Sequence, residues 1–114
     1  MHELSIADNI INCVKDAAAK RGMKQLSKIG VRIGSLSSVD PEALTFGFDV
    51  LKREHGMSSC ELVIESVATK AKCRLCSREF AVADFVFVCP QCGSSQCDLL
   101  SGQELEIAYY EGDE

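Results

Sequence analysis

No run of about 18 consecutive apolar residues occurs in this 114-residue sequence, so no stretch of it reads as a membrane-spanning helix. The start of the chain lacks the basic, apolar and small-residue succession of a secretory signal, which predicts a cytoplasmic protein. Lysine and arginine are missing from residues 98–114, where six acids fall (Asp98, Glu104, Glu106, Glu111, Asp113 and Glu114), and the formal net charge is −5. A general nucleic-acid binder carries the opposite sign. There is no low-complexity segment and no internal repeat beyond two cysteine pairs. The length excludes two independent large domains and leaves one small core with a satellite module beside it.

Apolar residues make up 46% of the chain and charged residues 25%, the usage of a folded, soluble protein. The seven cysteines are odd in number and four of them form C-x-x-C pairs. That pattern favours metal binding in a reducing compartment over a secreted disulfide framework.

Ile6, Ile10, Ile11, Val14, Ala17 and Ala18 recur at spacings of three and four and predict a helix over residues 4–21. Ser5 with Asp8 resembles an N-terminal capping arrangement, and Gly22 suits the stop. Lys28 to Ile33 alternates as a strand with one buried face. Asp40-Pro41-Glu42 reads as the start of a second helix, with Asp40 as the cap and Pro41 in the first helical position. That helix is expected to reach His55, with Leu44, Phe48 and Leu51 facing the core and Phe46 and Val50 widening that face. A second strand is expected over Cys60–Ala68 and a third over residues 103–110, with Leu105, Ile107 and Tyr109 sharing one side. The order predicts an α+β fold: a three-stranded sheet with two helices on one face, formed by residues 1–68 and 103–114. The cysteine-rich residues 69–102 are an insertion.

Within that insertion, Cys73, Cys76, Cys89 and Cys92 give C-x₂-C-x₁₂-C-x₂-C. Two such turns each supply two thiolates to a tetrahedral ion, the outline of a zinc ribbon with structural Zn²⁺ and no open position for catalysis. Gly93 permits the positive φ that ends such a turn, and Pro90 stiffens its start. Glu79 to Val88 is expected to form a hairpin whose Phe80, Phe85 and Phe87 cover the metal. Iron in a rubredoxin-like site uses the same ligand set. A thioredoxin-like redox site needs only one C-x-x-C, and a zinc deaminase needs a histidine that is missing after His55. Cys13 and Cys60 read as small core residues and His55 as structural, near the end of the second helix. Cys97 lies just past the ribbon.

A chain that begins Met1-His2-Glu3 offers an amine, one peptide nitrogen and an imidazole that close five- and six-membered chelate rings. Square-planar nitrogen donors suit Ni(II) or Cu(II). The opening triplet, the amphipathic helix after it, the strand ending Ile33-Gly34 and the double C-x-x-C module together resemble the HypA/HybF family of nickel metallochaperones. The resemblance implies a nickel site at Met1, His2 and Glu3 and a separate structural zinc site at Cys73, Cys76, Cys89 and Cys92. It further implies a carrier of Ni²⁺ with no catalytic turnover, which works with a HypB-type GTPase and delivers to the hydrogenase large-subunit precursor, in some members also to urease maturation. No nucleic acid and no membrane are expected as partners. Against a histidine that some members carry near the zinc module, this chain has Gly93 and Cys97. The rival reading is a zinc-ribbon interaction module for nucleic acid or protein. Thr69 to Cys97 carries four basic residues against two acids, a small local excess.

Overall fold

The computed structural model describes residues 3–113. Its elements run α1 (Glu3–Lys20), β1 (Gln25–Gly34), α2 (Pro41–Glu54), β2 (Glu61–Val67), β3 (Lys70–Cys73), β4 (Glu79–Ala81), β5 (Cys97–Ser101) and β6 (Leu105–Asp113). They form two three-stranded sheets, ordered β2-β1-β6 and β4-β3-β5, beside two helices. The α+β reading with helices on one side of a three-stranded sheet is therefore correct.

α1 buries Ile6, Ala7, Ile10, Ile11, Val14 and Ala18. It starts at Glu3, so Ser5 is an internal helical residue and no cap; Asp8 instead contacts Asn12 and His55. Gly22 takes φ +75 and ends the helix. The second helix starts as its sequence dictates: Asp40 is extended, its carboxylate accepts from the Glu42 amide at 3.0 Å, and Pro41 opens the first turn. Leu44 and Phe48 are fully buried between the helices and β1. α1 and α2 come close at Gly47, where an added Cβ would lie 3.3 Å from Leu4 Cδ1 and 3.8 Å from Ala7 Cβ. Phe46 and Val50 do not widen the core face, since they point away from the packed stripe and are 62% and 46% exposed. Cys13 is also exposed rather than a core residue, whereas Cys60 is fully buried as expected.

The central strand β1 pairs in parallel with β2 and antiparallel with β6. Ile29, Val31 and Ile33 face the helices, and Arg32 on the open face binds Glu65 at 2.8 Å and Glu106 at 3.2 Å. Leu105, Ile107 and Tyr109 do not share one side as the simple alternation implied. Between Gly30 and Val31 the register shifts, so Ile107 lies opposite Val31 while Tyr109 lies opposite Gly30. The extra residue, Ala108, flips the faces. Tyr110 then packs on the core, and the Tyr109 ring covers Gly30, where a Cβ would stand 2.1 Å from a ring carbon. Gly30→Ala is expected to cost about 1–2 kcal/mol, because the ring must move from its seat. In a Tyr109→Ala background the same change should be close to neutral, a coupling that a double-mutant cycle of thermal unfolding measures directly.

Candidate metal centre

Two turns with the same backbone logic present the four cysteines. In the first, the Cys73 N–H donates to Arg78 O at 2.9 Å and the Ser77 N–H to Cys73 O at 3.0 Å. In the second, the Cys89 N–H donates to Ser94 O at 2.9 Å and the Gly93 N–H to Cys89 O at 2.9 Å. Ser77 and Gly93 occupy equivalent places four residues after the first cysteine of each turn, with φ +65 and +74. Gly93 announces its conformation in the sequence; Ser77, whose side chain hides the same requirement, does not.

The expected hairpin over residues 79–88 is absent among the described residues. Glu79–Ala81 pairs with Lys70–Lys72 instead, and Cys97–Ser101 pairs with the other side of β3. Asp84 and Phe85 take φ +53 and +62, which breaks a strand, and Phe85 is 71% exposed instead of covering the cysteines. Phe80 and Phe87 are half-buried.

The sulfur atoms of Cys73, Cys76, Cys89 and Cys92 all lie within 4.8 Å of one another, and two of the pairs, Cys73–Cys92 and Cys76–Cys89, stand at 3.5 Å. A tetrahedral ion with metal–sulfur bonds near 2.3 Å sets its sulfurs about 3.8 Å apart, so the four atoms fit one ion. Their ionisation tells the same story. The amides of Cys92 and Gln91 aim at the Cys89 sulfur and, against burial, bring that thiol down to about 6. Cys73 is lowered chiefly by the Cys76 amide. The other two go up. The Ser94 amide favours the Cys92 thiolate, but the thiols of Cys73 and Cys89 together with burial push it to about 12. Cys76 is raised although the Arg78 amide opposes this, because the Cys89 thiol and burial outweigh it. Four thiols this close do not all ionise without a cation among them, and four thiolates are the donor set of a soft divalent metal.

Cys97 stands outside this group. It lies opposite Cys73 across the β3–β5 ladder, its Sγ 3.8 Å from Ser94 O and 3.9 Å from Phe87 O. Burial and then the Cys73 and Cys89 thiols push its thiol up.

At the other end of the sequence, Met1 and His2 lie outside the described residues. Glu3 is the first residue of α1, and its carboxylate accepts the Asp40 N–H at 3.2 Å. The tail of the chain and the cap of α2 therefore meet, a contact across 37 positions that no local pattern in the sequence signals. Asp40 keeps its capping role through Oδ1. His55 ends α2 and bridges the helices: Lys15 Nζ donates to Nδ1 at 3.4 Å, leaving Nε2 to carry the proton toward Asp8, also at 3.4 Å. It stands at the end of α2, where the sequence placed it.

The two sheets join at the end of β1. The Leu36 N–H donates to Gly102 O at 2.7 Å, the Gly34 N–H to Glu104 O at 2.8 Å and the Ser35 N–H to Val67 O at 3.0 Å. The hydroxyls of Ser35 and Thr69 are hydrogen-bonded across the same joint. Both crossings of the chain are thus fastened to one loop, the loop that leads into Asp40. No helix among the described residues is long and apolar enough to cross a membrane.

The profile of the family described as "Hydrogenase/urease nickel incorporation, metallochaperone, hypA" matches residues 1–112. The hydrogenase maturation factor HypA of Moorella thermoacetica is 36% identical over 113 residues, covering 99% of this chain and all of that protein. The HypA of Solidesulfovibrio magneticus is 41% identical over 116 residues, 97% of this chain and 98% of that one. Among solved structures, the solution structure of the Ni metallochaperone HypA from Helicobacter pylori superposes with a TM-score of 0.68 at 23% identity, over 99% of this chain and 98% of that one. A second HypA solution structure gives 0.72 at 24% identity, over 98% and 96%. At these identities the structures speak for the fold.

Proposed function

This chain belongs to the HypA family of hydrogenase and urease nickel metallochaperones, and we propose that it binds Ni(II) at Met1, His2 and Glu3 and delivers it during hydrogenase maturation. The observation that carries the reading is the anchoring of Glu3 on the cap of α2. Met1 and His2 are covalently bound to a residue that is itself fixed to the body. The amine, the peptide nitrogens and the His2 imidazole form a planar nitrogen set suited to Ni(II) and poorly suited to zinc. Donors on a terminus are displaced one at a time, so a recipient strips the ion stepwise without the carrier unfolding. The recipient in this reading is the hydrogenase large-subunit precursor, with a HypB-type GTPase as co-worker, in the cytoplasm.

Cys73, Cys76, Cys89 and Cys92 hold zinc in the same proposal. Four protein thiolates saturate a tetrahedral ion, so this zinc organises residues 69–102 and takes no part in transfer. Residues 1–68 with 103–114 form the nickel-bearing unit.

Titration of the protein with its native, untagged terminus is expected to reveal one tight nickel site. His2→Ala should lose a liganding imidazole and weaken that site by more than the ~10–100-fold that loss of an outer partner costs, while the zinc content stays unchanged. Equal nickel affinity in parent and variant would place the cargo elsewhere.

A further inference from the structure

β6 is an edge strand: among the described residues it pairs only with β1. The helices cover β1 and leave the Leu105–Ile107 end of β6 partly open, with Leu105 38% and Ile107 37% exposed, while Tyr110 packs on the core. A groove of about 290 Å³ runs between β6 and α1, lined by Ile6, Ile10, Cys13, Val31, Leu105 and Ile107 together with the polar Asn9 and Glu106, whose carboxylate reaches Arg32 on the other face. On the opposite side of the strand Glu106 and Glu111 project, about half exposed and paired in part with Arg32 and Lys28. One edge thus combines an apolar lane on one face, acids on the other, and a free row of backbone groups between them.

We infer that β6 is a docking edge for an extended segment of a partner protein with alternating apolar and basic side chains, which adds as a fourth strand. In that arrangement the backbone continues the ladder, apolar side chains enter the groove over Leu105 and Ile107, and the basic ones face Glu106 and Glu111. Charge selects this occupant over a second copy of the chain. Residues 98–114 hold six acids and no lysine or arginine, so pairing β6 with itself sets like charges across the ladder in every register that pairs charges at all. A basic strand meets the same acids with opposite sign. The acids deter the chain's own edge and attract a complementary one.

The full-length, metal-loaded protein titrated with an octapeptide of alternating valine and lysine tests this. The amides of Leu105, Ile107 and their neighbours in β6 are expected to shift in NMR spectra and to gain protection from hydrogen exchange. A valine–glutamate octapeptide, and a peptide with the same lysines and valines in two blocks, should bind at least about ten-fold more weakly. Ile107→Glu and Leu105→Glu, each checked for folding by its thermal transition, should reduce binding by a similar factor; Phe46→Glu on the exposed side of α2 should leave it unchanged. Should both groove variants unfold, the amide shifts of the parent protein decide. The inference is overturned by peptide shifts located away from β6, by equal binding of the alternating and block peptides, or by sedimentation showing a dimer with β6 protected before any peptide is added.

Discussion

Cys73→Ala is expected to release the bound metal and unfold the cysteine-bearing sheet, while α1, α2 and β1 keep their protection from hydrogen exchange. The reason lies in what that sheet lacks. Its strands are three to five residues long, and within residues 69–102 the buried residues are Thr69, Ala71, Cys73, Cys89 and Gly102. So small an apolar content cannot offset the conformational entropy of more than 30 residues. The metal supplies the missing stability: apparent binding free energies of structural zinc sites are ~10–16 kcal/mol near neutral pH, and that energy is folding energy where no site exists in the unfolded chain. Metal analysis together with hydrogen exchange on residues 69–102 checks the prediction. Retention of a full equivalent of metal by the variant contradicts it. Acid should reproduce the effect. Each ligand must give up its proton to bind, and a thiol such as Cys92, pushed to about 12 without a cation, does so only because the ion is there. Affinity therefore rises with pH, and the metal is shed as pH falls.

The second large effect is expected at Gly34. A Cβ there would stand 2.1 Å from Gly102 O, 2.2 Å from Gly102 C and 2.7 Å from Gln103 N. These are backbone atoms, so no side chain can swing aside. Gly102 is itself pinned, with φ +121 and Thr69 Oγ1 2.6 Å from its own virtual Cβ. Gly34→Ala must open the joint or break the Gly34–Glu104 and Leu36–Gly102 hydrogen bonds. We expect a loss of about 3 kcal/mol or more, roughly 10 °C or more in thermal midpoint for a chain of this size. Gly22→Ala is the informative comparison. It also has a positive φ, +75, but nothing lies within 4 Å, so only the left-handed backbone penalty of about 1–2 kcal/mol applies. Similar losses for the two variants would show that the joint is looser than its geometry implies.

Where a local rule had one answer, the sequence was a good guide. Asp40-Pro41 has few other readings than a helix start, and C-x-x-C twice at ribbon spacing has few other than a metal site. It misled where tertiary context decides. Phe46 and Val50 are a different case: at 3.6 residues per turn they fall about 160° round the helix from Phe48, so the period itself puts them on the solvent side, where both are exposed. Ala108 carries no mark of a bulge, so the period of two was carried through it. Ser77 adopts a glycine's conformation because the turn around Cys73 and Cys76 is held from outside by the Cys73–Arg78 and Arg74–Gln96 hydrogen bonds. The contact between Glu3 and Asp40 arises only once α1 and α2 have packed.

The position of β6 in the sheet also sets an order of events during synthesis. β1 is central, yet one of its two neighbours follows the whole cysteine segment in the chain: Ile33 pairs with Leu105 and Gln25 with Asp113. While the ribosome is still making residues 69–102, the helices and the parallel β1–β2 pair can form only half of the sheet. The antiparallel half closes later, by contacts remote in sequence and slow to form. By then all four clustered cysteines have been translated. The strand that completes the Glu3-bearing unit is thus the last to be made, and it must find β1 across a segment whose own folding depends on its metal.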